Sequence, residues 1–377
     1  MSTRTAPPPT CDLLWAGSKP DAHALYAEAR ARSPVCFDPK QNAWIVLGYE
    51  PVLACLKDVE RLSNDPVAEF DPFVVGGDPP VHTKYRRILQ DSVRHLDKLA
   101  VAEFTGAWLD RFFARTTSGA TFDAVADLAV PLVDELAGHL VGLTPDEVVF
   151  FKSLRPENRA HVRSFDQVTQ EFFGGIINRE SSAQRGGALQ AILRNIEGSE
   201  LSEREAVSLL RLLWIGGTAT SNLFNPSALR LLAVYPSVQS QLRENPGLVP
   251  AFISEALRLE GPTTTVPRRA KTDFELCGQM IRQNDALQIC LLSANSDPAF
   301  FPEPHKIDLR RPAGRQLAFG FGIHHCLGGY IAKALAETVV ARTLLAGPHL
   351  QLAEAADGLD YEDGNLRGLK RLRLSLS

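Results

Sequence analysis

From His82 to Ser227 apolar residues return every three or four positions along most segments, the spacing of helices with one buried face. Breaks near Thr117-Ser118-Gly119, from Gly142 to Pro145 and at Gly186-Gly187 divide this stretch into several helices. Upstream, Asp21 to Ser33 is helical in character, and Ala43-Trp44-Ile45-Val46-Leu47 reads as a strand. Pro51 to Leu56 reads as a short helix with proline at its start. Ser63 to Asp78 is loop-like, and Ile215 to Leu232 predicts a long apolar helix in spite of Pro226. Phe274 to Ile281 resembles a short hairpin, and Ala286 to Leu292 a further strand. Ala294 to Leu317, rich in Pro, Asp and Arg, is expected to be irregular. The fold class is mainly α with a small β portion (α+β). No internal repeat and no clean linker is found, so one domain over 21–377 is expected, behind a flexible arm over 1–20.

Composition changes this picture only by exclusion. The 377 residues are 45% hydrophobic and 22% charged, with a net charge of −4, which argues against a general nucleic-acid surface. No run reaches the ~18 apolar residues of a membrane span, and the Pro-rich start resembles no signal peptide. A cytoplasmic protein without a membrane anchor is expected. Cysteines stand at 11, 36, 55, 277, 290 and 326 with no C-x-x-C pair, so zinc and iron–sulfur sites lack support. Free thiols are expected.

Candidate chemistry concentrates in Phe319-Gly320-Phe321-Gly322-Ile323-His324-His325-Cys326-Leu327-Gly328. Cys326 sits on a glycine-rich turn directly before a helical segment opened by Gly329. A thiolate there meets the unpaired N–H groups and positive end of the helix, which lower a thiol pKa. That is the arrangement of a cysteine ligand to haem iron. Gly320 and Gly322 allow backbone angles closed to other residues. Gly328 removes a side chain where a flat macrocycle would lie. Phe319 would shield the sulfur, and His324 could donate to a haem propionate. A lone cysteine beside a helix start is more often a buried core thiol, but here the pattern fixes the surrounding residue types as well.

This segment resembles the haem-binding loop of cytochromes P450, F-G-x-G-x-H-x-C-x-G, at every fixed position. Other segments resemble the same family in the same order, from about Ala43 to the C-terminus. Glu255 and Arg258 match its E-x-x-R, and Arg311 its meander arginine; the resemblance implies a buried structural cluster. Asp78-Pro79-Pro80-Val81-His82 with Arg86 resembles D-P-P-x-H-x-x-x-R, and Arg268 lies in an R-x-A strand entry. His82, Arg86, Arg268 and His324 are thereby implied to hold the propionates of haem b. Ala294-Asn295-Ser296-Asp297-Pro298 resembles A-N-R-D-P, with Ser296 in place of arginine.

The distal helix departs from the family. Trp214-Ile215-Gly216-Gly217-Thr218-Ala219-Thr220-Ser221 resembles [AG]-G-x-[DE]-T-[TS], with Gly216 and Gly217 fixing the register. Thr220 then falls on the threonine of oxygen activation, and its hydroxyl can bond back to the Gly216 carbonyl. Ala219 occupies the acidic position. A shifted register would place Thr218 there instead, but loses the glycine match. Water, Thr218, Ser221, Asn222 or a substrate group are the candidates to replace the missing carboxylate.

The resemblance implies a haem-thiolate monooxygenase acting on a small organic molecule, with electrons from a separate ferredoxin or flavodoxin and its reductase. The implied substrate pocket is lined by 63–77, 160–185 and Thr263 to Val266. Phe70, Phe73, Phe172, Phe173 and Val266 there suggest an apolar or aromatic substrate. Lys84, Arg87, Arg94, Arg310 and Arg315 are candidates for a basic docking face. A peroxide-driven enzyme, suggested by Ala219, and a non-catalytic haem sensor are the alternatives.

Overall fold

A computed structural model describes residues 8–68, 71–94, 96–116, 119–153, 162–312, 314–354, 359–362, 364 and 366–376, with the side chains of 162–166 left out. Helices dominate. In chain order they are α1 (Ala22–Arg32), α2 (Tyr49–Lys57), α3 (Val81–Val93), α4 (Lys98–Arg115), α5 (Val130–Val141), α6 (Pro145–Ser153) and α7 (Val162–Ile177). Then follow α8 (Gly187–Glu197), α9 (Glu203–Val234), α10 (Pro236–Glu244), α11 (Val249–Glu260), the short α12 (Leu291–Asn295) and α13 (Gly329–Ala346).

Ten short strands among the described residues complete the fold. A five-stranded sheet has the order β1 (Val35–Asp38), β2 (Ala43–Val46), β8 (Ala286–Cys290), β5 (Thr265–Ala270), β3 (Leu62–Ser63). Only β2 and β8 run parallel within it, with Trp44 opposite Leu287. A three-stranded sheet joins β4 (Thr121–Asp123), β10 (Arg373–Leu376) and β9 (Leu350–Leu352). The strands β6 (Phe274–Leu276) and β7 (Gln279–Ile281) form the expected hairpin.

Local chemistry accounts for the longest helix. Ser202 caps α9 and, with Glu205, forms a reciprocal capping box, which satisfies N–H groups that have no intrahelical partner. Pro226 lies inside α9 without ending it. Its ring cannot donate to the carbonyl of Asn222, and the Asn225 amide bonds the neighbouring carbonyl of Ser221 at 2.8 Å. One apolar core joins α4, α5, α9, α11 and α13, and a second packs α3 and α5 to α9 around Phe151 and Trp214.

Three expectations need correction. The arm expected to be free through residue 20 is docked over its second half: Leu13, Ala16, Gly17 and Ser18 are buried, and Thr10 bridges Phe37. Cys11 and Cys36 are joined in a disulfide with their Cα atoms 6.1 Å apart, so the expectation of free thiols holds only for Cys55, Cys277, Cys290 and Cys326. Strand β8 ends at Cys290, because Leu291 to Asn295 turn into α12. No helix among the described residues is long and apolar enough to cross a membrane.

Candidate active site

The cysteine loop is pinned bond by bond. The N–H of Leu317 donates to the Asn295 side chain at 2.6 Å. Gly320 donates to the Leu317 carbonyl and Cys326 to the Phe319 carbonyl, both at 2.9 Å. Arg86 of α3 reaches across to the His325 carbonyl at 2.5 Å. Gly320 and Gly322 have φ of +67° and +74°, the left-handed region where a side chain is strained. At Gly322 a Cβ would also stand 2.7 Å from the Leu56 carbonyl oxygen. The Phe319 ring lies on Gly329, 3.4 Å from where a Cβ would be.

Gly328 caps α13 at its start. Cys326 is exposed as a residue, yet enough protein surrounds its sulfur that desolvation raises the thiol pKa. The Gly328 N–H, the Arg86 charge and the Gly329 N–H offset this only in part, so the thiol stays above its ordinary value, against the lowering expected from the helix start alone. Two backbone donors and a guanidinium are thus in place to stabilise anionic sulfur, but desolvation outweighs them in the bare chain. A Cβ on Gly328 would meet nothing within 4 Å, and the same holds for Gly216 and Gly217 on α9.

The four expected carboxylate-binding residues gather beside the loop. The His82 and His324 rings are 4.4 Å apart. Burial lowers the His324 pKa to about 3, with His82 and Arg268 adding to the effect. Burial also brings Arg268 down to about 10, offset by Cys55 and Asp78. Arg268 donates to the Pro267 carbonyl at 2.8 Å. The buried His82 Nε2 has no hydrogen-bond partner. A buried polar atom without a partner is costly, and two imidazoles and two guanidiniums lowered first of all by burial are donors suited to carboxylates. The site therefore fits a flat dicarboxylate such as haem, with Cys326 as its metal ligand.

Behind the loop, Arg258 donates to both oxygens of Glu255 from Nε and Nη2, at 2.8 and 2.9 Å. Arg311 joins the same carboxylate at 3.2 Å, and Arg258 caps the carbonyls of Asn295, Pro304 and Lys306. On α9 the hydroxyl of Thr220 donates to the Gly216 carbonyl and that of Thr218 to the Trp214 carbonyl, both at 2.9 Å. Thr218 is buried, whereas Gly216 and Gly217 are exposed. Ala219 brings no polar atom to this segment.

Other expectations fare differently. Phe172 and Phe173 pack into the core with Phe151 and Trp214, so they do not supply an open aromatic pocket wall. Phe73 is half-buried against Tyr85, and Val266 is half-buried in β5. Phe70 lies outside the described residues. Lys84, Arg87, Arg94 and Arg310 each have a carboxylate within 4 Å, from Glu205, Glu200, Asp91 and Asp308, and Arg315 lies over Phe300. They do not form an unpaired basic face. A groove of about 600 Å³ lined by Trp108, Arg111, Phe112 and Arg115 among others lies apart from all these residues.

Sequence reasoning missed two carboxylates held by partners far along the chain. Glu260 is held between Arg230 and Arg367, each at 2.7 Å, and Tyr85 donates to Glu205. Neither pair has a local spacing that announces it.

Comparison with known proteins agrees with this geometry. The Cytochrome P450 family model matches residues 131–346, more than half of the chain, and the chain belongs to that family. It is a cytochrome P450 monooxygenase by class. Among curated relatives, the monooxygenase PikC of Streptomyces venezuelae is 28% identical over 395 residues, covering 98% of this chain and 94% of its own. The mycinamicin VIII C21 methyl hydroxylase of Micromonospora griseorubida is 29% identical over 381 residues, 94% and 97% of the two chains. The ligand-free P450 monooxygenase TamI superposes with a TM-score of 0.86 at 27% identity, covering 98% of this chain and 94% of that one. CYP109B1 from Bacillus subtilis does so with a TM-score of 0.81 at 27% identity, covering 94% and 99%.

Proposed function

We propose that this chain binds haem b through Cys326 and inserts one oxygen atom from dioxygen into a C–H or C=C bond of a small apolar or aromatic molecule. The second oxygen atom leaves as water, with two electrons supplied by a separate ferredoxin or flavodoxin and its reductase. A cytoplasmic setting fits a chain with no apolar spanning helix among its described residues. The observation that carries the reading is the Cys326 sulfur at the start of α13, receiving the N–H groups of Gly328 and Gly329, with His82, Arg86, Arg268 and His324 gathered beside it.

When bound, the haem supplies the activation of dioxygen. The chain's own residues do the rest. His82, Arg86, Arg268 and His324 hold the two propionates, since a buried unpaired carboxylate is costly. The Gly328 and Gly329 N–H groups temper the charge on sulfur. Phe319, stacked on Gly329, keeps water from that side. Thr220 holds a movable proton at Oγ1, parked on the Gly216 carbonyl. With alanine at 219, the proton that reaches Thr220 comes from water or substrate. Relatives named as hydroxylases of a mycinamicin methyl group and of 6-deoxyerythronolide B support C–H hydroxylation as the reaction class.

The reduced carbon-monoxide complex should absorb at the thiolate-haem position. Cys326→His should lose that band while keeping haem, and a band surviving in Cys326→Ser would refute the assignment. Ala219 favours a second reading, peroxide-driven oxidation. Turnover over a compound panel, with a surrogate redox chain against hydrogen peroxide, separates the two.

A further inference from the structure

Tyr85 on α3 and Glu205 in the first turn of α9 meet in a hydrogen bond from the phenol to Oε1. The other oxygen of that carboxylate accepts from Ser202 N and Oγ, at 2.6 and 2.7 Å. One side chain therefore both closes the cap of α9 and grips α3. Lys84 Nζ stands 3.7 Å from the same Oε1. The Tyr85 ring is buried and tilted against that of Phe73, with centroids 4.7 Å apart. Phe73 is itself fixed: the N–H groups of Phe73, Val74 and Val75 donate to the Asp71 carboxylate at 3.0, 3.1 and 2.7 Å.

Three elements are thus tied at one point: the 71–77 segment, α3 and α9. Burial raises the Glu205 pKa, but the bonds from Tyr85 and Ser202 outweigh it and bring the group to about 2. Burial and the carboxylate push Tyr85 up to about 12. The bond is therefore phenol to carboxylate throughout the ordinary pH range, a charge-assisted contact. The exposed Arg87–Glu200 pair at 3.0 Å joins α3 to the turn before α9, but such pairs contribute little.

The tie bears on the site because of what each element carries. His82 precedes Tyr85 by three residues on α3, and Arg86 follows it. Gly216 and Thr220 lie eleven and fifteen residues beyond Glu205, roughly 16–22 Å along one helix. Ser202 fixes Glu205 to the backbone of α9, so a change at the phenol moves the helix end and not a free side chain.

We propose that Tyr85 and Glu205 are a positioning pair that sets the gap between the Phe73 segment and the first half of α9, and so the size of ligand the cavity admits. This rests on the haem-thiolate reading, which makes that gap part of the substrate cavity. The test uses the full-length haem-loaded chain and azole binding followed by the shift of the haem absorption band. Imidazole, 4-phenylimidazole and a biphenyl-substituted imidazole are the probes. Tyr85→Phe should change the Kd of the biphenyl probe relative to that of imidazole by about five-fold or more, within the range that loss of one charged hydrogen bond allows. Glu205→Gln, which keeps an acceptor for the phenol, should fall between Tyr85→Phe and the unaltered chain. Arg87→Ala should leave the ratio unchanged. A ratio within about two-fold of the unaltered chain in Tyr85→Phe overturns the proposal, on the scale where 1.4 kcal/mol is ten-fold. If Tyr85→Phe does not load haem, the ratio in Glu205→Gln decides by the same limits. An unaltered chain that shows neither the carbon-monoxide band nor an azole shift overturns the haem-thiolate reading, and the pair's role with it.

Discussion

The cysteine loop and the glycine–threonine segment of α9 are held in opposite ways. The loop has few regular bonds of its own and is fixed by side chains from remote places: Asn295, Arg86 and, behind it, the Glu255–Arg258–Arg311 cluster. The α9 segment is fixed by its own helix. Its threonines bond back to carbonyls one turn earlier, and Gly216 and Gly217 would touch nothing even with a Cβ. The first arrangement is cooperative, so one lost cross-link releases several groups together. The second can be altered one residue at a time. On the proposed reading, the side of Cys326 is built for rigidity, while the side of Thr220 is open to adjustment.

The largest effect should come from the first side. Arg258 is 1% exposed and serves Glu255 and three carbonyls at once. Removing one partner of a buried pair costs about 3–5 kcal/mol, of the order of much of a domain's stability. Arg258→Ala should therefore give little folded, haem-loaded protein, measured as haem absorbance per unit of soluble chain. A well-folded, haem-replete variant would show that the loop stands without its cross-links.

A second buried cluster refines the comparison. Glu260 sits five residues after Glu255 on α11 and is likewise held by two guanidiniums, Arg230 and Arg367. Arg367 also caps the carbonyls of Gly17 and Lys19, so this cluster anchors the N-terminal segment and not the cysteine loop. His23 packs beside it, bonded to the Leu259 carbonyl at 2.9 Å. Burial lowers the His23 pKa from 6.5 to about 4, against the pull of Glu260. A folded pKa below the unfolded one means that the unfolded chain binds the extra proton, so stability falls as pH falls from 6.5 to about 4. The loss is at most about 3 kcal/mol at 1.36 kcal/mol per unit. Denaturant midpoints measured across that window should drop with acidification, and His23→Gln should flatten the slope. An unchanged slope would remove His23 from the account.

These contrasts also explain what the chain made legible. The cysteine loop shows in sequence because its turn demands particular residue types at neighbouring positions. Glu255 and Arg258 show because i and i+3 share a helix face. The partners of Glu260 lie 30 and 107 residues away, and those of Cys11 and Tyr85 lie 25 and 120 away. No periodicity links positions so far apart; only the assembled fold does. Strands β1, β4, β9 and β10 are three or four residues long, too short for alternation to stand out. Phe172 and Phe173 were expected at the pocket, yet aromatics at helical spacing are core residues more often than lining.

The smallest effect on folding, and the sharpest on chemistry, should come from α9. Thr220→Ala removes one neutral hydrogen bond to Gly216, about 1 kcal/mol or less, so the variant should fold and load haem normally. What it loses is the movable proton at Oγ1. With Ala219 beside it, the segment keeps no other side chain of the family's proton-donor type at that turn. Thr220→Ala should then raise the fraction of reducing equivalents that leave as hydrogen peroxide. Ala219→Asp restores a carboxylate one residue from Thr220 and should change oxygen-driven turnover more than peroxide-driven turnover, because peroxide arrives already reduced and partly protonated. The measurement is coupling, product formed per reducing equivalent consumed, for both variants with the substrate found by panel screening. If neither substitution changes coupling or the oxygen-driven rate, proton delivery does not pass through this helix turn, and the open side of the site is set by something other than Thr220.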